Sequence, residues 1–456
     1  MSVSNPDSHL RPAPMPRAVP DAAAAAPAMR RPAPLFVLLL AALAVACGRE
    51  DAPPDVATVR ETVGDTTIVR TLAGADAGIR TLVEEIAIGE LEGEDVYTFG
   101  SIDELVPLPD DRVLVWDGQA KALRIYGADG VHERTIGRAG KGPGEIESAN
   151  GVAVLADGRI GVWDAQNARL TVFTPDGAYA EEVRIPGGFF SMRSVAAADS
   201  NVFWLRMPLG AMDGASFMDR KDGVRTVRLA TDGGASPGAI VDSILAPVQT
   251  DRSQLLQATS PDGRGRTATG VPFSATPVWT PGAGYLVSSP GGEYRIDVHR
   301  PDAPLRIVRE LPPIPVTGAE RSGQQARITW MMQRTDPAWS WNGSAIPDSK
   351  PPVRSLQVDR AGRIWAQVSQ PGEEFTPDPP ATSSPNPAPQ ITWREPVVFD
   401  VFARDGEFLG RVPFPRGTRV GSIQATTGDR IWAVLPDSFG VDRVVRWRVE
   451  PALGGG

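Results

Sequence analysis

A short alternation of apolar and polar positions recurs along the chain. Each copy consists of an apolar strand, a tight turn that contains Asp, Asn or Gly, and a second apolar strand that usually carries a tryptophan. The copies are centred on residues 111–116, 158–163, 201–204, 284–287, 362–365 and 429–432. Alternation with a period of two is typical of β-strands. The pattern therefore predicts an all-β fold built from one repeated unit.

Most copies are followed by a third strand and a second turn. This second turn contains Asp-Gly at residues 129–130, 176–177, 232–233 and 405–406. Asp-Gly between apolar runs is a strong hairpin signal, because the tight turns that join twisted strands require positive φ. A unit of four short antiparallel strands that repeats about every 45 residues is typical of a β-propeller blade.

The two ends of the chain each supply part of a blade. Residues 81–88 occupy the position of an outer strand before the first full blade, and residues 444–449 form a third strand with no fourth after it. We expect the early strand to complete the last blade, because a closed ring leaves no open sheet edge. The prediction is a six-bladed propeller over residues 67–450, followed by a tail at 451–456.

One blade carries a more specific pattern. Residues 140–146 read Gly-Lys-Gly-Pro-Gly-Glu-Ile, and residues 164–169 follow the pattern D-x-x-N-x-R. This combination resembles the NHL repeats of six-bladed propellers. The resemblance covers residues 140–177 well and residues 101–136 fairly well, whereas the other blades match only in the rhythm of their strands. It implies that Asp164, Asn167 and Arg169 hold a turn by hydrogen bonds.

Four insertions lengthen the connections between strands. Residues 208–222 and 370–394 separate a second strand from a third, and residues 246–272 and 312–352 separate a fourth strand from the next first strand. Both kinds of connection emerge on the same face of a propeller, opposite the Asp-Gly turns. Because loops on a rigid scaffold commonly carry function, we predict that this face binds the ligand.

A helix is expected within the third insertion. Ala326, Trp330 and Met331 lie about one turn apart, and residues 317–334 have helical character. The helix either contributes to the ligand site or only covers the rim of the propeller.

The N-terminal region resembles a lipoprotein signal peptide. Met29-Arg30-Arg31 precedes twelve apolar residues, Leu35 to Ala46. A bilayer span needs about 20 residues, so the run fits the apolar part of a signal peptide. Cys47 follows small residues at 44 and 46 and resembles the cysteine of a bacterial lipobox, although Leu43 lies four residues before it instead of three. Ordinary signal-peptidase cleavage that leaves a free thiol is the alternative.

This resemblance implies a membrane anchor through lipid on Cys47, the only cysteine of the chain. Residues 1–28 are then an extension upstream of a start at Met29, residues 29–46 the signal peptide and residues 47–66 a linker. Gly48, instead of Asp, follows the cysteine, which favours the outer membrane, facing the periplasm or the cell surface.

Composition narrows the possible functions. The chain has 47 Gly and 44 Pro, which favours turns over long helices, and its net charge of −9 argues against nucleic-acid binding. It contains three histidines, too few for a zinc site or a histidine relay. The glycine-rich residues 140–144 precede a strand, so they form no phosphate loop. We predict no cofactor and no catalytic residues.

Carboxylates and aromatic residues supply the candidate ligand contacts. Asp117 and Asp164 end the second strands of adjacent blades, where they either stabilise turns or form part of a calcium-binding ring, as in sugar lactonases. Only two of the six blades carry this Asp, so no metal site is predicted. Tryptophans 116, 163, 204, 365 and 432 repeat at one position of the blade, which favours packing between blades over ligand binding.

Five further residues lie on the predicted ligand face without repeating from blade to blade. They are Trp330, Trp339, Trp341, Arg138 and Lys141. The sequence as a whole favours a lipid-anchored, non-catalytic propeller that binds a protein, peptide or glycan. A calcium-dependent hydrolase of the sugar-lactonase type is the alternative.

Overall fold

The computed structural model describes residues 58–72, 78–185, 195–199, 201–209, 221–229, 239–282, 284–377, 386–425 and 428–454. The predicted signal peptide and Cys47 lie outside these residues. Within the described part of the chain, no helix is both long and apolar enough to cross a membrane.

Blades 1 to 3 follow one another in sequence and have four antiparallel strands each. They are preceded by β1 (Thr58–Val63), β2 (Thr66–Thr71) and β3 (Thr81–Ile88). Blade 1 comprises β4 (Ile102–Pro107), β5 (Val113–Asp117), β6 (Ala122–Tyr126) and β7 (His132–Ile136). After the short parallel pair β8 (Arg138–Ala139) and β9 (Glu145–Ile146), blade 2 comprises β10 (Ala149–Val154), β11 (Ile160–Asp164), β12 (Arg169–Phe173) and β13 (Tyr179–Arg184). Blade 3 comprises β14 (Val195–Asp199), β15 (Val202–Leu209), β16 (Lys221–Arg228) and β17 (Ala239–Leu245).

Blades 4 to 6 contain longer connections. After the hairpin β18 (Leu256–Thr259) and β19 (Arg266–Thr269), blade 4 comprises β20 (Val278–Pro281), β21 (Leu286–Ser289), β22 (Arg295–His299) and β23 (Leu305–Arg309). Helix α1 (Gly318–Gln333) precedes blade 5. This blade comprises β24 (Val353–Val358), β25 (Ile364–Val368), β28 (Val398–Phe402) and β29 (Phe408–Pro413). The hairpin of β26 (Glu373–Glu374) and β27 (Trp393–Arg394) lies between its second and third strands. Blade 6 contains β30 (Gln424–Ala425), β31 (Arg430–Pro436) and β32 (Asp442–Glu450).

Strand β3 closes the ring as the fourth strand of blade 6. It pairs with β32 from Thr81 opposite Glu450 to Ile88 opposite Val444, which confirms the predicted closure. Glu85 of β3 also contacts arginines of blade 6, at 2.8 Å from Arg430 and 3.0 Å from Arg446. Burial alone would raise the pKa of Glu85, but these two arginines outweigh it and lower the pKa.

The hydrophobic core consists of layers between blades. Six buried apolar clusters each join residues of two neighbouring blades, including one between blades 6 and 1. The five repeated tryptophans are buried in these clusters, as predicted, with exposed fractions of 7% or less. The two middle strands of blades 1, 2 and 5 are buried along their whole length, because a neighbouring blade covers each face.

The Asp-Gly turns have the predicted backbone conformation. Gly130, Gly177 and Gly406 have φ of 82°, 88° and 89°, a region that a residue with a Cβ rarely adopts. Each of these turns joins the third and fourth strands of a blade, on the face opposite the insertions. Gly233 lies outside the described residues.

An additional hairpin covers the outer edge of blade 4. Strand β2 pairs in parallel with β23, from Thr67 opposite Leu305 to Thr71 opposite Arg309, and β1 pairs with β2. The segment 47–66, expected to be a linker, is therefore a strand from Thr58 to Val63. The chain next contacts the outer strand of blade 5, where Ile79 bridges Arg411. The described parts of residues 58–88 thus pair with the outer strands of blades 4 and 5 and supply the outer strand of blade 6, which protects sheet edges.

Candidate functional site

Two of the insertions share a hydrophobic core of their own. The hairpin β18–β19, the helix α1 and the loop after it bury one apolar cluster that is distinct from the six between the blades. Its buried members are Leu256, Ala258, Val271, Val316, Met332, Trp339 and Ile346. We refer to the described residues of 246–272, 312–352 and 370–394 as the insertion layer.

Helix α1 forms where the sequence predicts it. Thr317 caps the helix by accepting a hydrogen bond from the backbone N–H of Glu320, and the Glu320 carboxylate accepts one from the backbone N–H of Thr317. This reciprocal pair fixes the first turn. Gly323 allows the segment 370–394 to approach closely, because a Cβ there would lie 3.3 Å from Nε1 of Trp393.

A buried lysine joins the insertion 312–352 to both ends of the insertion that begins at Gln370. The Nζ atom of Lys350 lies 2.5 Å from Oε1 of Glu320, 3.3 Å from Oε1 of Glu395 and 2.8 Å from the carbonyl oxygen of Gln370. It also lies 5.5 Å from the ring centroid of Phe273. The Lys350 side chain has no exposed surface. Because a buried charge requires opposite charges and hydrogen-bond acceptors around it, this cluster fixes the arrangement of the layer.

An open groove of about 510 Å³ runs along the outer side of α1. The described residues that line it are uncharged and are Ser322, Gln325, Ala326, Thr329, Trp330, Gln333 and Asn386. The indole N–H of Trp330 donates to the carbonyl oxygen of Asn386 at 3.3 Å. The guanidinium of Arg334 lies 5.1 Å from the Trp330 ring and helps to orient it.

The three tryptophans predicted as ligand contacts have different environments. Trp330 lines the groove. Trp339 is only 5% exposed, and its indole N–H donates to the carbonyl of Gln257 at 2.8 Å, so it belongs to the core of the insertion layer. Trp341 packs against Trp339 and donates to the carbonyl of Ser344. Of these tryptophans, Trp330 alone lines the groove.

Asp117 and Asp164 are buried and stabilise turns. The Asp164 carboxylate accepts hydrogen bonds from the side chain of Asn167 at 2.7 Å and from the backbone N–H of Glu147 at 2.9 Å. Asp117 pairs with Arg124 at 3.1 Å. Among the described residues, no group of three or more His, Cys, Asp or Glu side chains is arranged to hold a metal ion.

Arg138 and Lys141 lie on the predicted face but at a different blade. Both belong to the glycine-rich loop between blades 1 and 2, where Arg138 pairs with Glu145 at 2.9 Å and its side chain stays 78% exposed. Lys141 is also exposed. No described contact joins them to the groove. The same loop is held by Arg169, whose guanidinium donates to the carbonyls of Gly142 and Glu145.

A Ser–His pair in blade 4 does not form a catalytic triad. Ser288 Oγ lies 2.8 Å from His299 Nε2, but Ser288 is only 1% exposed, so a substrate cannot reach it. Asp297, the nearby carboxylate, is paired with Arg295 and Arg306. Burial lowers the pKa of His299.

Comparison with known proteins agrees with the fold. Residues 60–204 match the model of the DUF5128 family, described as a 6-bladed beta-propeller. A search of curated proteins found no match.

Solved structures resemble the chain only distantly. A member of the DUF4221 family from Bacteroides vulgatus is 11% identical with a TM-score of 0.46, over 81% of this chain and 97% of that one. A protein of Bacteroides fragilis is 10% identical with a TM-score of 0.44, over 84% and 99%. A gluconolactonase from Xanthomonas campestris is 14% identical with a TM-score of 0.35, over 81% and 99%. These likenesses assign no function.

The buried lysine cluster predicts a large difference between two substitutions. Lys350→Met should lower the free energy of unfolding by about 3–5 kcal/mol, because it leaves the buried Glu320 carboxylate without its cation and removes one of the two cations beside Glu395. Arg354→Met is the matched control. It removes the partly exposed Arg354 that also pairs with Glu395, and it should cost about 1 kcal/mol or less. Urea unfolding followed by tryptophan fluorescence measures both values.

A second substitution checks the cause. Adding Glu320→Gln to Lys350→Met removes the buried negative charge that the first substitution leaves without a cation. The double variant should therefore recover part of the lost free energy of unfolding. Equal losses for Lys350→Met and Arg354→Met, or no recovery in the double variant, would contradict the assignment.

Proposed function

We propose that this chain is an exported, lipid-anchored and non-catalytic propeller that binds a protein, peptide or glycan through the face that carries its insertions. One observation supports this most strongly. Insertions from separate connections are joined by a shared core and by a buried lysine cluster, and a groove whose described lining is uncharged lies along their helix. An elaboration of this size is unnecessary for closing the ring, because Ala246 is the one residue of the insertion layer among the buried members of the six blade clusters.

The proposed anchor joins the body on the same face. Arg309 ends the outer strand of blade 4 at the point where the insertion 312–352 begins, Thr71 pairs with Arg309, and Thr58 pairs with Thr71. Thr58 therefore lies at the end of blade 4 nearest the insertions. Residues 47–57 can span at most about 40 Å when fully extended. A lipid on Cys47 would keep this end of the propeller close to the membrane.

Exposed apolar residues also mark this face. Phe439 and Leu91 are 83% and 70% exposed, the highest values among the large apolar side chains described. Phe439 lies between the second and third strands of blade 6, and Leu91 follows the outer strand β3. Both connections emerge on the face of the insertions.

The lipid anchor predicts the behaviour of a Cys47→Ser variant. The natural chain should incorporate a fatty-acid label in cells and partition into the detergent phase. Cys47→Ser should lose the label and be released or remain unprocessed, because serine offers no thiol. Gly48→Asp is the control, which should keep the lipid. Unchanged membrane association of Cys47→Ser would show that lipid on this cysteine does not anchor the chain.

The binding face can be tested in intact cells with a photo-reactive amino acid. The test position is Gln325, which is exposed on the outer side of α1. The control position is Val131, which is 54% exposed at a turn of the opposite face. We expect a discrete adduct from position 325 and none from position 131. Adducts only from position 131, or from neither position, would contradict binding by the insertion face.

A further inference from the structure

We propose that the chain has a second binding site, for a phosphate or sulfate group, between blades 4 and 5 on the face of the Asp-Gly turns. This inference goes beyond the proposed function, because that face lies opposite the insertions. Blade 4 contributes Tyr285 and Arg300, and blade 5 contributes Arg360, Gly362 and Arg404. All five residues lie in turns that join the first strand of a blade to the second, or the third to the fourth.

The hydroxyl group of Tyr285 is buried without a hydrogen-bond partner. Tyr285 is only 6% exposed and packs in the apolar cluster that blades 4 and 5 share. Within the described part of the chain, no group makes a hydrogen bond with its hydroxyl oxygen. A buried tyrosine hydroxyl usually has such a partner, because burial removes its hydrogen bonds to water. The hydroxyl therefore indicates an acceptor that comes from outside the chain.

Two arginines lie beside this tyrosine. The guanidinium carbon of Arg300 lies 4.7 Å from the centroid of the Tyr285 ring, and its Nη2 atom donates to the backbone carbonyl of Arg404 at 2.9 Å. The Nε atom of Arg300 is buried and makes no hydrogen bond with the described residues. A Cβ at Gly362 would lie 3.6 Å from the Tyr285 hydroxyl oxygen and 3.4 Å from Cδ of Arg404. Because Gly362 has φ of 80°, which favours glycine, this point beside both groups carries no side chain.

The positive charges of this site have no counter-charge in the described chain. Arg300, Arg360 and Arg404 form no ion pair with a described residue. Burial by the surrounding protein lowers the pKa of Arg360, and no carboxylate offsets this effect. The whole chain has a net charge of −9, so three such cations in adjacent turns are a local exception. An anion bound among them would be attracted by all three charges.

The carboxylates of the same turns do not supply this anion. Asp359 and Asp405 each pair with an arginine outside the site, at 2.7 Å and 2.6 Å. Asp302 and Glu407 form no ion pair with any residue that the structure describes. The place beside Arg300 and Arg404 is therefore available to an anion from solution.

The donors of the site favour an oxyanion with two negative charges. A guanidinium group donates two parallel hydrogen bonds to a phosphate, sulfate or carboxylate group. Three positive charges match a phosphate or sulfate dianion better than the single charge of a carboxylate. Such a group is either a free ion or part of an organic phosphate.

The unfolding temperature of the purified full chain, measured over a range of phosphate concentrations, tests this inference. A ligand that binds only the native state raises this temperature, and we expect phosphate to raise it more than acetate at equal ionic strength. Arg404→Gln should increase the phosphate concentration for half of the effect about tenfold, because it removes charge-assisted hydrogen bonds. Arg264→Gln, which removes an exposed arginine of the insertion layer, is the matched control and should change nothing.

Tyr285→Phe distinguishes a ligand site from a structural role. Without phosphate, this variant should unfold at the same temperature as the natural chain or higher, because it loses a buried hydroxyl that has no described partner. With phosphate, it should need a several-fold higher concentration for the same effect. Methyl phosphate separates the two sources of the ligand. Binding at least as tight as that of phosphate assigns the site to an organic phosphate, and weaker binding assigns it to the free ion.

Three results would overturn the inference. They are equal effects of phosphate and acetate on the natural chain, equal phosphate dependence of the natural chain and Arg404→Gln, and an equal loss in Arg404→Gln and Arg264→Gln. All three concern the face of the Asp-Gly turns, so the adducts from position 325 test the proposed function independently.

Discussion

The pairing of β3 with β32 is the constraint on which the rest of the structure depends. No blade has a core to itself, because each apolar cluster of the ring is shared by two neighbours. The cluster between blades 6 and 1 contains Trp432 and Ile102 together with Ile88 of β3, so the closing strand is part of this interface. Closure therefore buries both faces of every blade. It also defines two unlike faces, one with tight Asp-Gly turns and one with the long connections.

The insertion layer has a different physical basis. It combines a small apolar cluster with the buried charge of Lys350, whose partners are Glu320 of the helix, Gln370 at the start of the segment 370–394 and Glu395 directly after it. Replacing a buried ion pair with apolar residues is often neutral or stabilising, so such a pair is weak support for stability. What the cluster adds is specificity, because the lysine can be satisfied only when all its partners are in place. The groove beside α1 depends on this arrangement.

Local signals explain which features were predictable from the sequence. Asp-Gly turns, strand alternation and the spacing of residues 317–334 are short-range patterns, and counting strands from both ends then predicts the closure. The strand β1 gives little signal, because it is mostly exposed and pairs at the edge of a sheet by backbone hydrogen bonds. Glu320, Lys350 and Glu395 are far apart in sequence. The sequence alone does not distinguish charged residues that become buried from those that stay on the surface. Trp339 is predicted to contact a ligand because the sequence does not reveal the separate hydrophobic core of the insertion layer, in which this residue is buried.

We propose that the face with the insertions is the functional face of a membrane-anchored propeller. Hydrogen exchange of the lipidated chain in its native membranes, compared with the same chain after purification, tests this most directly. The account predicts slower exchange in α1 and in residues 386–394 on the membrane, with no change at the turns 129–130 and 405–406. Slower exchange confined to those turns, or no difference in α1, would contradict it.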